Sequence, residues 1–426
     1  MRLSRTQYDG FSNRRNWRFA VPLCFTALVW LAGMLSGCAR FRSHPHEYVY
    51  VAAREVYLRD RVAAVSNRVA LVKNGQRLEV VEHGHRFDQV RTPDGKLGWL
   101  QDHTVIDQQE FDQYQQLGRD HAQDPVVATA QLRDDLYLHL TPGRQTDHFY
   151  LVPGNSHVQL LERASIPHVV PGAVPASAGQ KAGQPADQPP VVPMEDWWLV
   201  RDSSGNTGWL LGSRVDVDIP DAIGEYAEGQ RMVAAYPLAT VTDNGDAARD
   251  RARGHRGLDR RGHAHAPGGE SQGGGQAPSV AGDSADAAEQ QLSGPKQRIE
   301  YLVLLAAPRS GLPYDFDQIR VFTWSLNHHR YETAYRLRDF EGFFPVTMSH
   351  ESVNGVSYPA FSFHIAGASG SAIDPATGIA HSLAQRTVSF RLEGNIIRRT
   401  GADQAPIEAH TRSAEAKKSR LGHTRR

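Results

Sequence analysis

Short runs of alternating apolar and polar residues follow one another between Tyr48 and Ile106, and the turn-forming pairs Asn74-Gly75 and Asp94-Gly95 break them. Alternation with a period of two places apolar side chains on one face of a β-strand. Asn-Gly and Asp-Gly pairs readily adopt the positive φ angles of tight hairpin turns. The pattern predicts an all-β unit over residues 48–106.

The same pattern returns about 110 residues further along the chain. Both copies contain Val-Arg, three residues, Gly, two residues and Gly-Trp-Leu, with Trp99 in the first copy and Trp209 in the second. A duplicated β module over residues 48–106 and 126–217 is the simplest explanation. The second copy also contains a Pro-, Ala- and Gly-rich insertion, residues 164–194, which we expect to be a disordered loop.

A helix is predicted between the two copies, over residues 107–123. Asp107, with Glu110 three residues later, has the spacing of a capping box at a helix N-terminus. In a helix that begins there, Phe111, Tyr114 and Leu117 lie on one side. This linker helix is therefore expected to dock on a neighbouring barrel.

The Gly-Trp-Leu strand after a Gly-containing turn resembles bacterial SH3-like (SH3b) domains, which are small barrels common in envelope proteins. The resemblance covers both copies and implies two barrels of this kind. The usual Asn-Val-Arg-x-Gly-Pro motif of the family is degraded, because Tyr57-Leu58-Arg59-Asp60 keeps only the Arg and Tyr137-Leu138-His139 lacks it. The resemblance therefore bears more on the fold than on an inherited ligand specificity.

The remainder of the chain predicts a C-terminal antiparallel β domain over residues 221–400. Residues 243–296 are rich in Gly, Ala, Ser, Gln and charge, so we expect a long disordered hairpin tip between a strand at 231–241 and one at 299–305. A second hairpin is predicted around Asn327-His328-His329, and residues 401–426 are expected to be a disordered tail. Further strands are predicted over residues 343–348, 359–365 and 387–392.

The first 37 residues have the order of a secretion signal, in which arginines precede an apolar run from Phe19 to Met34. Leu35-Ser36-Gly37-Cys38 then resembles the lipobox of bacterial lipoproteins. This resemblance implies that Cys38 receives a diacylglycerol and becomes the first residue of the mature chain, with residues 38–47 as a tether. A permanent membrane anchor is disfavoured, because the apolar run contains Pro22 and is shorter than the roughly 20 residues that cross a bilayer.

Composition and cysteine content narrow the classes of function. Lys plus Arg equals Asp plus Glu at 47 each, so no overall field steers the chain towards nucleic acid, and none is expected as a partner. The only cysteine besides Cys38 is Cys24, inside the signal. We therefore expect no disulfide and no thiol nucleophile in the mature protein.

The sequence lacks the motifs of serine hydrolases, nucleotide-binding loops and zinc peptidases. His255, His263 and His265 could reach one metal ion, but they lie in the predicted disordered segment, and ordering it would oppose binding. His328 and His329 are adjacent on a predicted hairpin and point apart. We expect no metal and no cofactor. The arginines between Arg249 and Arg261 are diluted by acids and favour a solvated segment over a headgroup site.

The tryptophans are the remaining candidate ligand contacts. Trp99 and Trp209 occupy the same repeat position and are expected to pack in or near the barrel cores. In Trp197-Trp198, strand alternation sends the two indoles to opposite faces, so we expect one of them to be exposed and available for a sugar ring or a peptide.

These observations predict a non-catalytic lipoprotein outside the cytoplasm, anchored through Cys38 in the outer membrane or the cell membrane, whose β modules bind peptidoglycan or an envelope protein. Two alternatives remain open. One is a structural spacer of an envelope complex. The other is an envelope hydrolase whose site uses carboxylates of the C-terminal domain, and two of these in one exposed cleft would favour it. The candidate carboxylates are Asp315, Asp317, Glu332 and Glu341.

Overall fold

The computed structural model describes residues 46–168, 192–243 and 296–407. The predicted signal peptide, Cys38, the histidines and arginines of the segment 244–295, residues 169–191 of the predicted insertion and residues 408–426 lie outside the described residues. The described chain is built mainly of strands in antiparallel sheets, which confirms the predicted fold class.

The first module forms a seven-stranded sheet with the order β3-β2-β6-β5-β4-β1-β7. Hairpin connections join β4 to β5 and β5 to β6. The two predicted turns are also present: Gly75, between β3 and β4, and Gly95, between β5 and β6, have the positive φ angles that such turns require. The strands are β1 (Glu47–Val51), β2 (Glu55–Arg59), β3 (Arg68–Lys73), β4 (Arg77–His83), β5 (Phe87–Arg91), β6 (Leu97–Gln101) and β7 (Val105–Asp107).

The second module repeats this topology strand for strand, with the order β10-β9-β13-β12-β11-β8-β14. A register shift in the strand pairing recurs as well. In the first module, Val81 has no pairing partner in the ladder between β4 and β5. In the second module, Leu161 has none in the ladder between β11 and β12. The duplication is therefore present in the fold as well as in the sequence. The strands are β8 (Ala128–Leu132), β9 (Leu136–His139), β10 (His148–Val152), β11 (His157–Pro167), β12 (Met194–Arg201), β13 (Thr207–Leu211) and β14 (Val215–Val217).

The glycine of each Gly-Trp-Leu strand lies where two strands approach closely. A Cβ on Gly98 would lie 2.8 Å from Cβ of Leu58, and one on Gly208 would lie 2.6 Å from Cβ of Leu138. Leu58 and Leu138 are fully buried. The motif therefore contains glycine because any side chain would collide with the core leucine of the neighbouring strand.

The predicted linker helix is present as α1 (Gln108–Asp120), and Asp107 is its N-cap, since Oδ1 of Asp107 accepts a hydrogen bond from the Glu110 N–H at 2.7 Å. The Phe111 ring stacks on Tyr50, with 3.7 Å between centroids. Tyr114 is buried beside Phe149. Leu117 packs against an apolar cluster on the second module, so the helix docks on a neighbouring β module.

The C-terminal domain is a seven-stranded antiparallel sheet with the order β15-β16-β17-β18-β19-β22-β23, and Asp243 at the end of β15 pairs with Lys296 at the start of β16. This pairing confirms the predicted hairpin around residues 243–296. The second predicted hairpin is also confirmed, because Trp324 pairs with Tyr331. The strands are β15 (Arg231–Asp243), β16 (Lys296–Ala306), β17 (Phe316–Ser325), β18 (Arg330–Val353), β19 (Val356–Ala366), β22 (Gln385–Glu393) and β23 (Ile396–Thr400).

Smaller elements complete the domain. A short helix α2 (Asp221–Gly224) precedes β15 and continues as one 3₁₀ turn (Glu225–Ala227). Strand β20 (Ser371–Ile373) pairs with β21 (Ala380–Ser382). A core of phenylalanines fills the C-terminal sheet, with Phe316, Phe361, Phe363 and Phe390 almost fully buried. Buried aromatic side chains contribute a large apolar area to the core of this sheet.

The boundaries of the predicted insertion in the second module were wrong at both ends. Strand β11 continues to Pro167 and β12 begins at Met194, and these two residues pair with each other. Ala164 and Ile166, which were expected in a disordered loop, are strand residues. Alternation continues through Arg163-Ala164-Ser165-Ile166, and the Pro-rich composition begins only after it.

The described residues form two compact units. The first comprises residues 46–49, Tyr57–Ala70 and Arg77–Asp102, and the second comprises Tyr50–Val56, Leu71–Gln76 and the described residues from His103 onwards. In the ranges 46–168, 192–243 and 296–407, no helix has the length and apolar character that a membrane span requires.

Candidate functional site

The expectation of an exposed indole in the pair Trp197-Trp198 was wrong, since Trp197 is 1% exposed and Trp198 is 6% exposed. Alternation does send the two rings to opposite faces. Trp198 enters the barrel core with Leu160 and Leu210. Trp197 lies on the outer face, where Leu117 of α1 and Ile379 pack into the same cluster. The outer face of β12 is therefore an internal interface rather than a solvent-facing surface.

Trp99 and Trp209 hold equivalent positions, as predicted. Trp99 pairs with Gln89 in β5, and Trp209 pairs with Leu199 in β12. Trp209 is buried in the cluster that contains Trp197, which agrees with a packing role. Trp99 is only half-buried and lines a groove of the first module.

A cleft of about 640 Å³ opens beside the second module. Its apolar wall includes the edge of Trp198 together with Met194 and Val217, and Met232 and Val233 of β15 line it as well. Its volume falls in the range of roughly 300 to 1,000 Å³ that is typical of ligand pockets. The charged groups that line it are Arg133, Glu195, Asp196, Asp216 and Arg231.

Ion pairs arrange the charges of this cleft. Arg133 makes a bidentate pair with Asp216, with Nε 2.7 Å from Oδ2, and the hydrogen bonds from Arg133 lower the pKa of Asp216. Nη1 of Arg231 donates to Asp196 at 3.2 Å. Arg133 and Asp216 are each more than half exposed, so solvent screens this pair and a ligand carboxylate or ammonium can compete for it.

A buried ionic network lies behind the cleft and connects the second module with the C-terminal sheet. Nη1 of Arg163 donates to Asp196 at 3.2 Å, and Nε donates to Asp315 at the same distance. The side chains of Arg163 and Asp196 are 2% and 3% exposed. The second Nη of Arg163 donates to the carbonyl oxygens of Leu312 and Tyr314. Each charged group of the network therefore has hydrogen-bonding partners, which offset part of the cost of its burial.

The four candidate carboxylates of the hydrolase hypothesis do not share a cleft. Asp315 bonds to Arg163 and to the Phe344 N–H, and Glu341 is buried. Asp317 accepts a hydrogen bond from the Tyr314 hydroxyl. Glu332 pairs across from Thr323 near the far end of the hairpin, so it lies roughly 20 Å along the sheet from the start of β17.

Asp315 does line a small cleft of about 190 Å³ with two carboxylates that sequence analysis did not select, Asp124 and Glu162. Burial raises the pKa of Glu162 and of Asp315. The space is below the size typical of a substrate pocket, and both oxygens of Asp315 are engaged in hydrogen bonds. This cleft therefore gives no support to hydrolysis.

The two histidines at the hairpin tip have separate partners. His328 bonds to Glu332 at 2.7 Å, and His329 lies 3.2 Å from Asp243. Across the described ranges, no group of three or more histidine, cysteine or acidic side chains is placed to hold a metal ion.

The sequence matches no protein-family model and no curated protein. NlpC2 from Trichomonas vaginalis has a TM-score of 0.14 and 10% identity, over 43% of this chain and 53% of that one. An NlpC/P60 family protein from Bacillus cereus has a TM-score of 0.20 and 12% identity, over 43% and 62%. NlpC1 from Trichomonas vaginalis has a TM-score of 0.15 and 10% identity, over 69% and 90%. The chain thus spans about half the length of the first of these structures. Similarities with TM-scores this low say nothing about the function of the chain.

Proposed function

We propose that this chain is a lipid-anchored protein of the bacterial envelope that binds a peptide ligand, from cell-wall peptidoglycan or from an envelope protein, without catalysing a reaction. The anchor rests on the lipobox-like Leu35-Ser36-Gly37-Cys38 after a basic and apolar leader. Acyl chains on Cys38 would supply the stable membrane attachment.

The cleft beside the second module is the observation that carries the binding hypothesis. One wall is apolar, formed by Trp198, Met194 and Val217, while Arg133 and Asp216 present charges of both signs. A peptide has matching chemistry, because it combines apolar side chains with carboxylate and ammonium groups. Stem peptides of peptidoglycan and segments of proteins share this chemistry.

A binding role fits the charge arrangement better than a catalytic one. Arginines favour the ionised form of the carboxylates in the cleft. The pKa of Asp216 is lowered by Arg133. At Asp196 burial raises the pKa, but Arg163 and the other partners of this carboxylate lower it further, so the net shift is downwards. A general acid needs a raised pKa near the working pH. Ionised, paired carboxylates instead suit recognition of a charged ligand.

The test is co-sedimentation of the full chain, purified in detergent, with purified wall sacculi. Arg133→Gln removes the exposed cation of the cleft and should reduce retention by about fivefold or more. Arg214→Gln is the matched control, because Arg214 forms an equally exposed pair with Asp134, outside the cleft. Both variants should melt at nearly the wild-type temperature, since exposed pairs contribute little to stability.

Soluble stem peptides released from the sacculi identify the source of the ligand. If these peptides compete with the sacculi, the ligand is wall peptide. If they do not, but an envelope protein co-purifies with the wild-type chain and not with Arg133→Gln, the ligand is a protein segment. Equal retention of Arg133→Gln and wild type, with no protein lost from the variant, would contradict a peptide site in this cleft.

A further inference from the structure

The two modules differ on one face, although their folds agree. In the second module the outer face of β12 and β13 is apolar and buried, with Trp197, Leu199 and Trp209 at most 6% exposed. Leu117 of α1, Ile166 of the extended β11 and Ile379 complete the cluster. Ala164 also bridges to Ile379. This face is therefore covered by other parts of the same chain.

The equivalent face of the first module is open among the described residues. The same pairing register in both modules makes these residues equivalent: Phe87 corresponds to Trp197, Trp99 to Trp209, and Val81 to Leu161. Val81 is 44% exposed, whereas its counterpart Leu161 is 5% exposed. Phe87 and Trp99 are half-buried. The length of one connection contributes to this difference in exposure. The connection from β4 to β5 is short, whereas the equivalent strands of the second module, β11 and β12, extend into a longer hairpin.

This open face carries a groove of about 420 Å³. Phe87 and Trp99 are its aromatic lining residues, and Arg59, Arg61 and Val62 line it as well. Its lining contains two cations and no carboxylate. The nearest acid on the same loop is Asp60, which accepts hydrogen bonds from Asn67 and lies 3.6 Å from Nε of Arg61. The groove therefore favours an anionic ligand.

The turn at Gly84 lies close to both aromatic residues of the groove. A Cβ on Gly84 would lie 3.3 Å from Cζ3 of Trp99 and 2.6 Å from the carbonyl oxygen of Phe87, so the glycine lets the turn close against both aromatic residues. The Gly84 N–H donates to that carbonyl at 2.8 Å. A Trp99 ring that lies against this turn loses little conformational entropy when a ligand stacks on it.

We propose that this groove, defined by Arg59, Arg61, Phe87 and Trp99, binds an acidic carbohydrate. A sugar ring presents an apolar C–H face that matches an exposed aromatic ring, and a sugar carboxylate matches the planar N–H donors of arginine. The aromatic rings and the arginines select this ligand only together. A neutral sugar would stack on the rings without using the arginines, and an acidic peptide would pair with the arginines without a flat face for the rings. The site lies in the first compact unit and is independent of the peptide cleft of the proposed function.

The test measures binding of the full chain, purified in detergent, to three soluble probes. These are an oligosaccharide of glucuronic acid, a glucose oligosaccharide of the same length, and polyglutamate. The acidic sugar should bind about tenfold more tightly than either other probe, because only it uses both the rings and the arginines. Its affinity should fall as salt rises, since exposed charges are screened.

Three variants locate the site. Trp99→Ala should weaken binding of the acidic sugar about tenfold, and Arg61→Gln about fivefold. Arg68→Gln is the control, because this exposed arginine of the same unit lies over Tyr57 outside the groove and the change in charge is identical. If Trp99→Ala fails to fold, Arg61→Gln and Arg59→Gln carry the test.

Equal effects of Arg61→Gln and Arg68→Gln on the affinity for the acidic sugar would overturn the proposal. Tighter binding of polyglutamate than of the acidic sugar would also overturn it and would indicate an acidic peptide as the ligand. The outcome is separable from that of the proposed function, because Arg133→Gln lies in the other unit and should leave binding of the sugar unchanged.

Discussion

Arg163 and Asp315 are joined by a buried ion pair, with Nε 3.2 Å from Oδ1, although 152 residues separate them in the sequence. Arg163 belongs to β11 of the second module and Asp315 immediately precedes β17 of the C-terminal sheet. The same guanidinium also bonds Asp196 at the edge of the cleft. The second module and the C-terminal sheet are thus connected by a network of largely buried charges.

Arg163→Met should destabilise the protein by about 3 to 5 kcal/mol, because it leaves Asp315 buried without its cation and Asp196 with Arg231 alone. Urea denaturation, followed by tryptophan fluorescence, measures the change. Arg214→Gln, which removes an exposed pair of the same module, should cost less than about 1 kcal/mol. A similar cost for the two variants would show that the buried network does not stabilise the fold.

Asp196 and Asp315 should respond to pH in opposite directions. At Asp196, burial raises the pKa, but Arg163 and Arg231 together with the hydrogen bonds from Ser165 and Gly311 outweigh it. The pKa is therefore lowered, and the stability contribution is lost as the pH falls through it. At Asp315, burial outweighs the same arginine and raises the pKa, so its contribution is present at low pH and lost as the pH rises through it.

The cost of Asp196→Asn should therefore grow from about pH 3 to about pH 7, and the cost of Asp315→Asn should shrink over the same interval. Urea midpoints across this range give both trends with one method. Parallel trends for the two variants would contradict the assigned directions of the pKa shifts.

Gly208→Ala should destabilise the second module by roughly 1 to 3 kcal/mol, because the added Cβ would lie 2.6 Å from Cβ of the buried Leu138. Gly224→Ala serves as the control, since no atom lies within 4 Å of a Cβ placed there and its φ is −57°. Thermal melting distinguishes the two. A neutral Gly208→Ala would mean that the two strands can separate without cost.

Cys38→Ala should leave an unprocessed, unlipidated precursor, because in the proposed lipoprotein the cysteine sulfur would accept the diacylglycerol and the acyl chains would provide the stable anchor. Mass spectrometry of the protein from membrane and soluble fractions measures both processing and attachment. A variant that is still cleaved after residue 37 and retained on the membrane would rule out the lipoprotein interpretation.

Local patterns predicted much of the fold because they report local physics. The Gly-Trp-Leu frame identified the duplication, since Gly98 and Gly208 meet the same steric restriction. Asp107 marked the start of α1 through a hydrogen bond that spans only three residues. The hairpin formed by β15 and β16 was predicted because the strand before the insertion had no other partner, and the two strands do pair.

The site was harder to predict, because it depends on contacts between distant residues. Alternation separated the faces of Trp197 and Trp198 correctly, but it cannot show that Ile379 and Leu117 cover the outer one. The network of Arg163 was missed for the same reason. A signal was present, since Arg163 interrupts an apolar strand, and a charge in such a position requires buried partners.

Photo-crosslinking in cells tests the peptide cleft most directly. A photoreactive amino acid replaces Ser213, an exposed residue that lines the cleft, or Ser204, an exposed residue of the turn before β13 outside it. We expect adducts with wall peptide or an envelope protein from position 213 in the membrane fraction, none from position 204, and loss of the adducts when Arg133→Gln is added. Adducts from both positions alike, or adducts from position 213 that persist in Arg133→Gln, would contradict a ligand site in this cleft.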